Sequence, residues 1–276
     1  MSLPKAWEKY PLYEASVQSP EIHAEWIGDV YKELRGKPAR SLREDFCGTF
    51  KISCEWIKRH SQNTALGLDI DPEPLAFGKA HYLTELTPGQ RARIKILRKN
   101  VLSPISDRVD VTMAFNFSIC FFHERNELVE YFRKARKGLR KGGMLLMDLA
   151  GGPGMINEVQ ECKRVKMPTL LKAPGLPKKF TYVWHQQSFN PVLRNGKYAI
   201  HFRFPGSRRK AMTDAFTYDW RMWTIPEVRD ALTEAGFKDT ACYWETEFKG
   251  RGTGEFLRVE EGDNATAWIA YIAGLT

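Results

Sequence analysis

The sequence predicts an α/β fold. A doubly wound, seven-stranded, mainly parallel sheet with an antiparallel last strand is expected, plus a small antiparallel β insertion between strand five and the following helix. Three observations lead there. Five short apolar runs alternate with helical patterns between Ala39 and Leu149, the rhythm of a parallel sheet covered on both faces. From residue 151 to 223 that rhythm gives way to alternating aromatic and polar residues, the period of half-exposed strands. After one more helix, two apolar runs close the sequence with no helical pattern between them. Strands joined without a crossover helix are expected to be antiparallel.

Each element has a local reason. Residues 1 to 20 are rich in Pro and aromatics and read as irregular, with Trp7, Tyr10 and Tyr13 as packing groups. Ser19-Pro20-Glu21 is a helix start, with a capping hydroxyl, Pro at the first position and an early acid. Ile22, Trp26, Ile27, Val30, Tyr31 and Leu34 follow at helical spacing, and Gly36 and Pro38 end that helix. The first strand runs to Glu44 and turns at Cys47-Gly48-Thr49 into a helix with Ile52, Trp56 and Ile57 on one face. Strand two is Ala65 to Asp69, and Asp71-Pro72-Glu73 caps the next helix. Strand three, Ile94 to Leu97, reaches Asn100; strand four, Val109 to Phe115, ends in Asn116. A helix from Glu124 to Leu139 and the pair Gly142-Gly143 precede the apolar strand five, Met144 to Leu149.

The segment from 151 to about Pro177 reads as loop. Strands are expected at Phe180 to Ser188, Lys197 to Phe204 and Ala215 to Trp223, with a hairpin turn at Asn195-Gly196. One face would carry Phe180, Tyr182, Trp184, Tyr198 and Phe202; the other would be polar and mostly cationic. Thr224-x-x-Glu227 is a capping box. The last two strands are Phe237 to Trp244 and Ala265 to Ala273, joined by an acidic, Gly-rich loop, 245 to 264. The expected organisation is an N-terminal helical segment (1–38) covering a cleft, a core domain (39–150 and 224–276) and the insertion (151–223).

Composition narrows the class. The chain has 276 residues, 43% of them hydrophobic, enough to bury a large core without staples. No run approaches the ~20 apolar residues of a membrane span, and the N-terminus lacks a signal-peptide pattern. The five cysteines are scattered, without C-x-x-C spacing, and read as free thiols of a cytoplasmic protein rather than a disulfide or zinc framework. The net charge of +9 is local. Residues 151 to 210 hold twelve Lys or Arg against two Asp or Glu, a charge of +10, so the remainder carries −1. An anionic partner of that segment is one reading; a solvated, charged excursion is the other.

The expected strand ends at Glu44–Thr49, Asp69–Asp71, Asn100, Asn116 and Asp148–Gly152 are all polar or Gly-rich. In a doubly wound sheet the ligand lies beyond such ends. A small-residue turn after strand one and an acid at the tip of strand two are the recipe for holding a nucleoside.

These residues resemble a known family. The order of a Cys-Gly-Thr turn, the Asp69 tip, Leu139-Arg140-Lys141-Gly142-Gly143-Met144-Leu145-Leu146 and Glu234-Ala235-Gly236-Phe237 resembles class I S-adenosylmethionine (SAM)-dependent methyltransferases. The resemblance covers Ala39 to Leu149 and Thr224 to the C-terminus. Leu42-Arg43-Glu44-Asp45-Phe46-Cys47-Gly48-Thr49 looks like the first motif of a bacterial subgroup. The family's motif usually reads acid-x-Gly-x-Gly-x-Gly; here Phe46 and Phe50 stand at the outer Gly positions.

The resemblance implies SAM as cofactor, with S-adenosylhomocysteine as product, and no metal. It implies that Glu44, or its neighbour Asp45, fixes the methionine ammonium, and that the backbone of Cys47, Gly48 and Thr49 cradles the methionine part. Asp69 would accept the ribose hydroxyls, Ile70 would touch the adenine face, Asn100 would read the adenine amino group, and Val101 would offer its N–H. Asn116 would stand beside the sulfonium, and Tyr13 could close over the site. Methyl transfer from a sulfonium needs alignment above all, and a general base only for a protonated nucleophile. His123 is the nearest candidate base, with a helix-capping role as the alternative. His185, His201, Asp219 and Arg221 on the insertion's polar face are others.

The expected substrate is small or medium in size, with an anionic one suggested by the insertion's charge. The Asn-Pro-Pro-aromatic motif of amino-methylating DNA enzymes and the Pro-Cys nucleophile of 5-methylcytosine enzymes are both missing at Asn116 to Cys120. Two alternatives stand beside this reading: an RNA methyltransferase whose basic insertion tracks phosphates, and a non-catalytic SAM-binding regulatory protein. Oligomeric state is not legible, and no membrane partner is expected.

Overall fold

The computed structural model describes residues 5–168, 175–206, 211–248 and 251–276. These form two compact units, one from Met1–Ser19 and Gly154–Met222, the other from Pro20–Pro153 and Trp223–Thr276. In chain order, the smaller unit opens with α1 (Lys9–Val17). The larger follows with α2 (Pro20–Arg35), β1 (Ser41–Asp45), α3 (Lys51–Arg59), β2 (Thr64–Asp69), α4 (Pro72–His81), α5 (Pro88–Arg91) and β3 (Ile94–Arg98). It continues with β4 (Val109–Ala114), α6 (Arg125–Lys137) and β5 (Leu139–Gly151). The smaller unit resumes with β6 (Val159–Lys166), β7 (Lys179–Asn190), β8 (Asn195–Arg203) and β9 (Ala211–Arg221). The larger closes with α7 (Ile225–Glu234), β10 (Asp239–Phe248), β11 (Arg251–Val259) and β12 (Trp268–Leu275).

The larger unit is built on one eight-stranded sheet in the order β11-β10-β12-β5-β4-β1-β2-β3. Strands β1 to β5 run parallel, and β12 lies antiparallel between β5 and β10. All five residues of β1 are buried, as a strand covered on both faces must be. The apolar stripes of α2 (Ile27, Val30, Tyr31) and α3 (Ile52, Trp56, Ile57) pack with Leu42, Val111, Met113 and Leu146 of the sheet in one core. The chain winds from β1 outward to β2 and β3, then returns to place β4 on the other side of β1. That reversal opens a crevice at the C-terminal strand ends, the usual ligand site of open α/β sheets. No helix of the described residues is long and apolar enough to cross a membrane.

The smaller unit is a four-stranded antiparallel sheet in the order β6-β7-β8-β9. Phe180, Ile200 and Phe202 form a buried cluster with Val165, Met167 and Phe204, and α1 adds Leu12 and Tyr13. The aromatic side of the sheet is therefore an interior, closed by the N-terminal helix of the same unit.

Several expectations need correction. The large sheet has eight strands, not seven. The acidic, Gly-rich stretch expected as loop supplies β11, an edge strand on β10. Its Phe256 packs on Trp26 and Tyr271 while Leu257 is exposed; charged edge strands resist pairing with a second chain. The insertion sheet has a fourth strand, β6, inside the stretch expected as loop. The hairpin loop falls at residues 191–194, because Asn190 pairs with Asn195, and Asn195-Gly196 opens β8. Residues 9–17, expected to be irregular, are helical. Strand five begins at Leu139, with Gly142 in a left-handed conformation inside it rather than ending the preceding helix.

Candidate functional site

Side chains on a strand alternate between faces, so the adjacent acids that end β1 face opposite ways. Glu44 accepts the N–H of Ser53 on α3 at 2.9 Å and a second, short bond from the Ser53 hydroxyl, both at Oε2. Its burial pushes the carboxyl up to about 7, against the pull of those two bonds. Asp45 shares a face with Arg43, whose Nε donates to Oδ1 at 2.7 Å, while the Tyr131 hydroxyl donates to Oδ2 at 3.0 Å. Arg43 also donates to the Val101 carbonyl at 3.1 Å. The Asp45 side chain is fully buried, and both its oxygens serve the core. Asp45, expected as a second claimant for the ligand ammonium, thus has both oxygens engaged with Arg43 and Tyr131.

The turn after β1 repeats one backbone state at every second residue. Phe46, Gly48 and Phe50 have φ of 55°, 51° and 48°. A left-handed conformation costs a non-Gly residue about 1–2 kcal/mol, and burial offsets it here. Phe50 is fully buried, and Gly78 of α4 lies so close that a Cβ there would fall 2.5 Å from the Phe50 ring. Phe46 packs among Phe121, Phe122 and Tyr131. The outer motif positions thus hold phenylalanine in the backbone conformation that glycine favours. Within the turn, the N–H of Cys47 donates to the Leu68 carbonyl at 2.9 Å and that of Gly48 to Asp69 Oδ2 at 2.7 Å. Those two N–H groups are engaged with β2 rather than open to a ligand.

Asp69 ends β2. Its Oδ1 accepts the N–H of Asp71 at 2.9 Å and the Ile70 N–H also bonds the carboxylate, which keeps further acceptor capacity. Burial, first of all, raises its pKa. Ile70, the next residue, is 62% exposed, an apolar side chain held in solvent at the C-terminal end of β2. Beyond β3, Asn100 is exposed, with Oδ1 accepting the N–H of Leu102 at 2.8 Å. Its amide N–H groups point to no partner among the described residues. Val101 is buried.

Asn116 and Phe117 follow β4 as two consecutive left-handed residues, φ 60° and 57°. Asp148 of β5 holds both: Oδ2 accepts the Asn116 N–H at 2.8 Å and Oδ1 the Phe117 N–H at 2.7 Å. Burial pushes Asp148 up to about 7 against those bonds. Sequence reasoning noted the strand end but gave this acid no role; its signal is a lone carboxylate in the apolar run Met144 to Ala150. His123 is half-buried and stands just before Glu124, the capping residue of α6. Among the described residues no group of three or more His, Cys, Asp or Glu is placed to hold a metal ion.

Glu44, Cys47, Gly48, Thr49, Asp69, Ile70, Asn100, Val101, Asn116 and His123 all belong to the larger unit, at the C-terminal ends of β1 to β4. Tyr13 and Arg221 belong to the smaller unit. There Tyr13 packs on Phe216 at 4.9 Å and hydrogen-bonds Tyr218, and Arg221 lies opposite Asn195 in the sheet. His185 and His201 bond each other at 3.1 Å, and Asp219 pairs with Lys197 at 3.5 Å.

No family model and no curated protein matches the sequence. Solved structures do match. DesVI of Streptomyces venezuelae aligns with a TM-score of 0.69 at 15% identity, covering 98% of this chain and 99% of its own. SAM-bound CalS10, an amino pentose methyltransferase from Micromonospora echinaspora, gives 0.68 at 16%, covering 96% and 95%. The sugar N-methyltransferase KedS8 from Streptoalloteichus gives 0.64 at 17%, covering 96% and 90%. The fold is that of class I SAM-dependent methyltransferases. The likeness spans the whole chain, so the insertion sheet is part of it and not an addition to it.

Proposed function

We propose that this chain is a SAM-dependent methyltransferase of a small or medium-sized substrate, belonging to the bacterial subgroup whose first motif reads LREDFCGT. One observation carries the reading. On a methyltransferase fold, the tips of three adjacent strands bring Glu44, the Asp69-Ile70 pair and Asn100 to one sheet edge, beside a left-handed turn. The donor set fits the cofactor part by part. Glu44 supplies a buried carboxylate for the methionine ammonium. Asp69 keeps lone pairs for two ribose hydroxyls while fixing the turn through Gly48. Exposed Ile70 offers an apolar face to adenine, and the Asn100 amide, with Val101 behind it, meets its polar edge. Thr49 stays as the turn's contact to the methionine part, since Cys47 and Gly48 direct their N–H groups to β2.

Bound SAM supplies an electrophilic methyl group on a sulfonium. The chain's own task is then alignment and exclusion of water. Asp148 anchors the backbone of Asn116 and Phe117, and so fixes where the Asn116 side chain stands at the crevice. His123 is the residue proposed to take a proton from an incoming nucleophile. Neighbours named for amino pentose, sugar and glycopeptide N-methylation favour a nitrogen acceptor on a polar small molecule. The test is transfer of label from methyl-labelled SAM to fractionated cell extract. Label in the small-molecule fraction is expected; label confined to RNA, or to nothing, would reject the proposal.

A further inference from the structure

A cleft lined by cationic side chains lies wholly within the smaller unit. β6 and β7 pair in the register Arg164↔Thr181, Val165↔Phe180 and Lys166↔Lys179. Val165 and Phe180 belong to the aromatic cluster, so strand alternation puts Arg164, Lys166, Lys179 and Thr181 together on the opposite face. These residues line a cleft of about 450 Å³, within the ~300–1,000 Å³ range of small-molecule pockets. Arg203 faces Thr181 across β8 and adds a fourth cation to the same face.

This arrangement opposes stability. Like charges directly opposite on antiparallel strands repel, and Lys166 faces Lys179 in register. Among the described residues, Arg164, Lys166 and Lys179 have no ion-pair or hydrogen-bond partner. Glu161, the one acid on the two strands, pairs with Trp184 and so lies on the aromatic face. An anion between the three side chains would remove the repulsion and give each cation a charge-assisted bond.

We propose that this cleft binds a phosphorylated small molecule, with Arg164, Lys166 and Lys179 on the phosphate oxygens and Thr181 donating its hydroxyl. The small volume of the cleft favours a compact phosphate ester over a nucleic-acid strand, which needs a track of charges along its backbone. The site involves none of the proposed SAM-binding residues, so it stands or falls independently of them.

The probe is inorganic pyrophosphate, titrated by calorimetry into the full chain at low salt. The comparison is between wild type, the cleft variant Arg164→Gln/Lys166→Gln/Lys179→Gln, and a control with equal charge loss on α6, Arg133→Gln/Lys134→Gln/Lys137→Gln. Wild type and the α6 control should bind one equivalent alike, and the cleft variant about tenfold or more weaker. The cleft variant's melting temperature should hold or rise, because its repulsion is gone; Lys166→Gln alone should show the same direction in both measurements. Absence of saturable binding by wild type, or equal loss in both triple variants, would overturn the proposal. So would a short oligoribonucleotide that binds in a cleft-dependent way while pyrophosphate fails to compete.

Discussion

The carboxylate of Asp69 accepts the N–H of Gly48 at 2.7 Å. One bond ties the tip of the second strand to the turn after the first, so the two halves of the proposed cofactor site are set by the same side chain. Because the Asp69 carboxylate keeps acceptor capacity beyond its backbone bonds, it can fix the turn and meet a ligand together.

The two acids that end β1 should behave differently when changed. Asp45 sits in a buried pair with Arg43 and Tyr131, and leaving a buried charge without its partner costs about 3–5 kcal/mol. Arg43→Ala or Asp45→Ala should therefore lower stability by roughly that amount in urea unfolding, with little effect on SAM affinity in whatever folds. Glu44→Gln should keep most of the stability and lose SAM affinity. An Asp45 variant that folds well and binds SAM poorly would reverse these roles.

The pH dependence follows from the raised carboxyls. Glu44 is held at about 7 against an ordinary 4.5, and Asp148 at about 7 against 3.8, both chiefly by burial. An acid with a raised folded value contributes stability that is complete below its unfolded value and is lost as pH rises through the folded one. Thermal stability of the free protein should thus fall between about pH 4 and 7, and Glu44→Gln should flatten that slope in part. An ammonium beside Glu44 would draw its pKa down, so SAM binding near pH 6 should release a proton. Calorimetry in buffers of different ionisation enthalpy checks this; uptake of a proton, or release unchanged in Glu44→Gln, would contradict it.

Phe50 offers a test of the turn itself. Its ring is fully buried but its φ is 48°. Truncation to Ala should cost about 3–5 kcal/mol. Phe50→Gly should be the milder change, by about 1 kcal/mol, the reverse of the usual order. Equal losses in denaturant titration would show that the left-handed strain is relieved in another way.

Much of this architecture was legible in the sequence because its signals are local. Thr224-x-x-Glu227 forms its capping box, Asp71 caps α4, and the parallel core follows from apolar runs between helical patterns. β11 was missed because Gly and acidic residues read as loop, while its Phe256 finds Trp26 and Tyr271 far away in sequence. β6 was missed because its face toward solvent is cationic and only Val165 is buried along it. In the site, residue type pointed to the strand tips. It did not reveal that Arg43 and Tyr131 occupy Asp45, or that Asp148 of β5 reaches across to two backbone N–H groups just after the neighbouring β4, since both depend on tertiary neighbours.

The central claim is that the edge formed by Glu44, Asp69, Ile70 and Asn100 binds SAM. Calorimetric titration of SAM and of S-adenosylhomocysteine into wild type and Asp69→Ala tests it most directly. One equivalent of each should bind wild type, and Asp69→Ala should bind at least about tenfold more weakly, having lost a charge-assisted acceptor worth about 1.5–3 kcal/mol. No binding by wild type, or undiminished binding by a folded Asp69→Ala, would contradict the account.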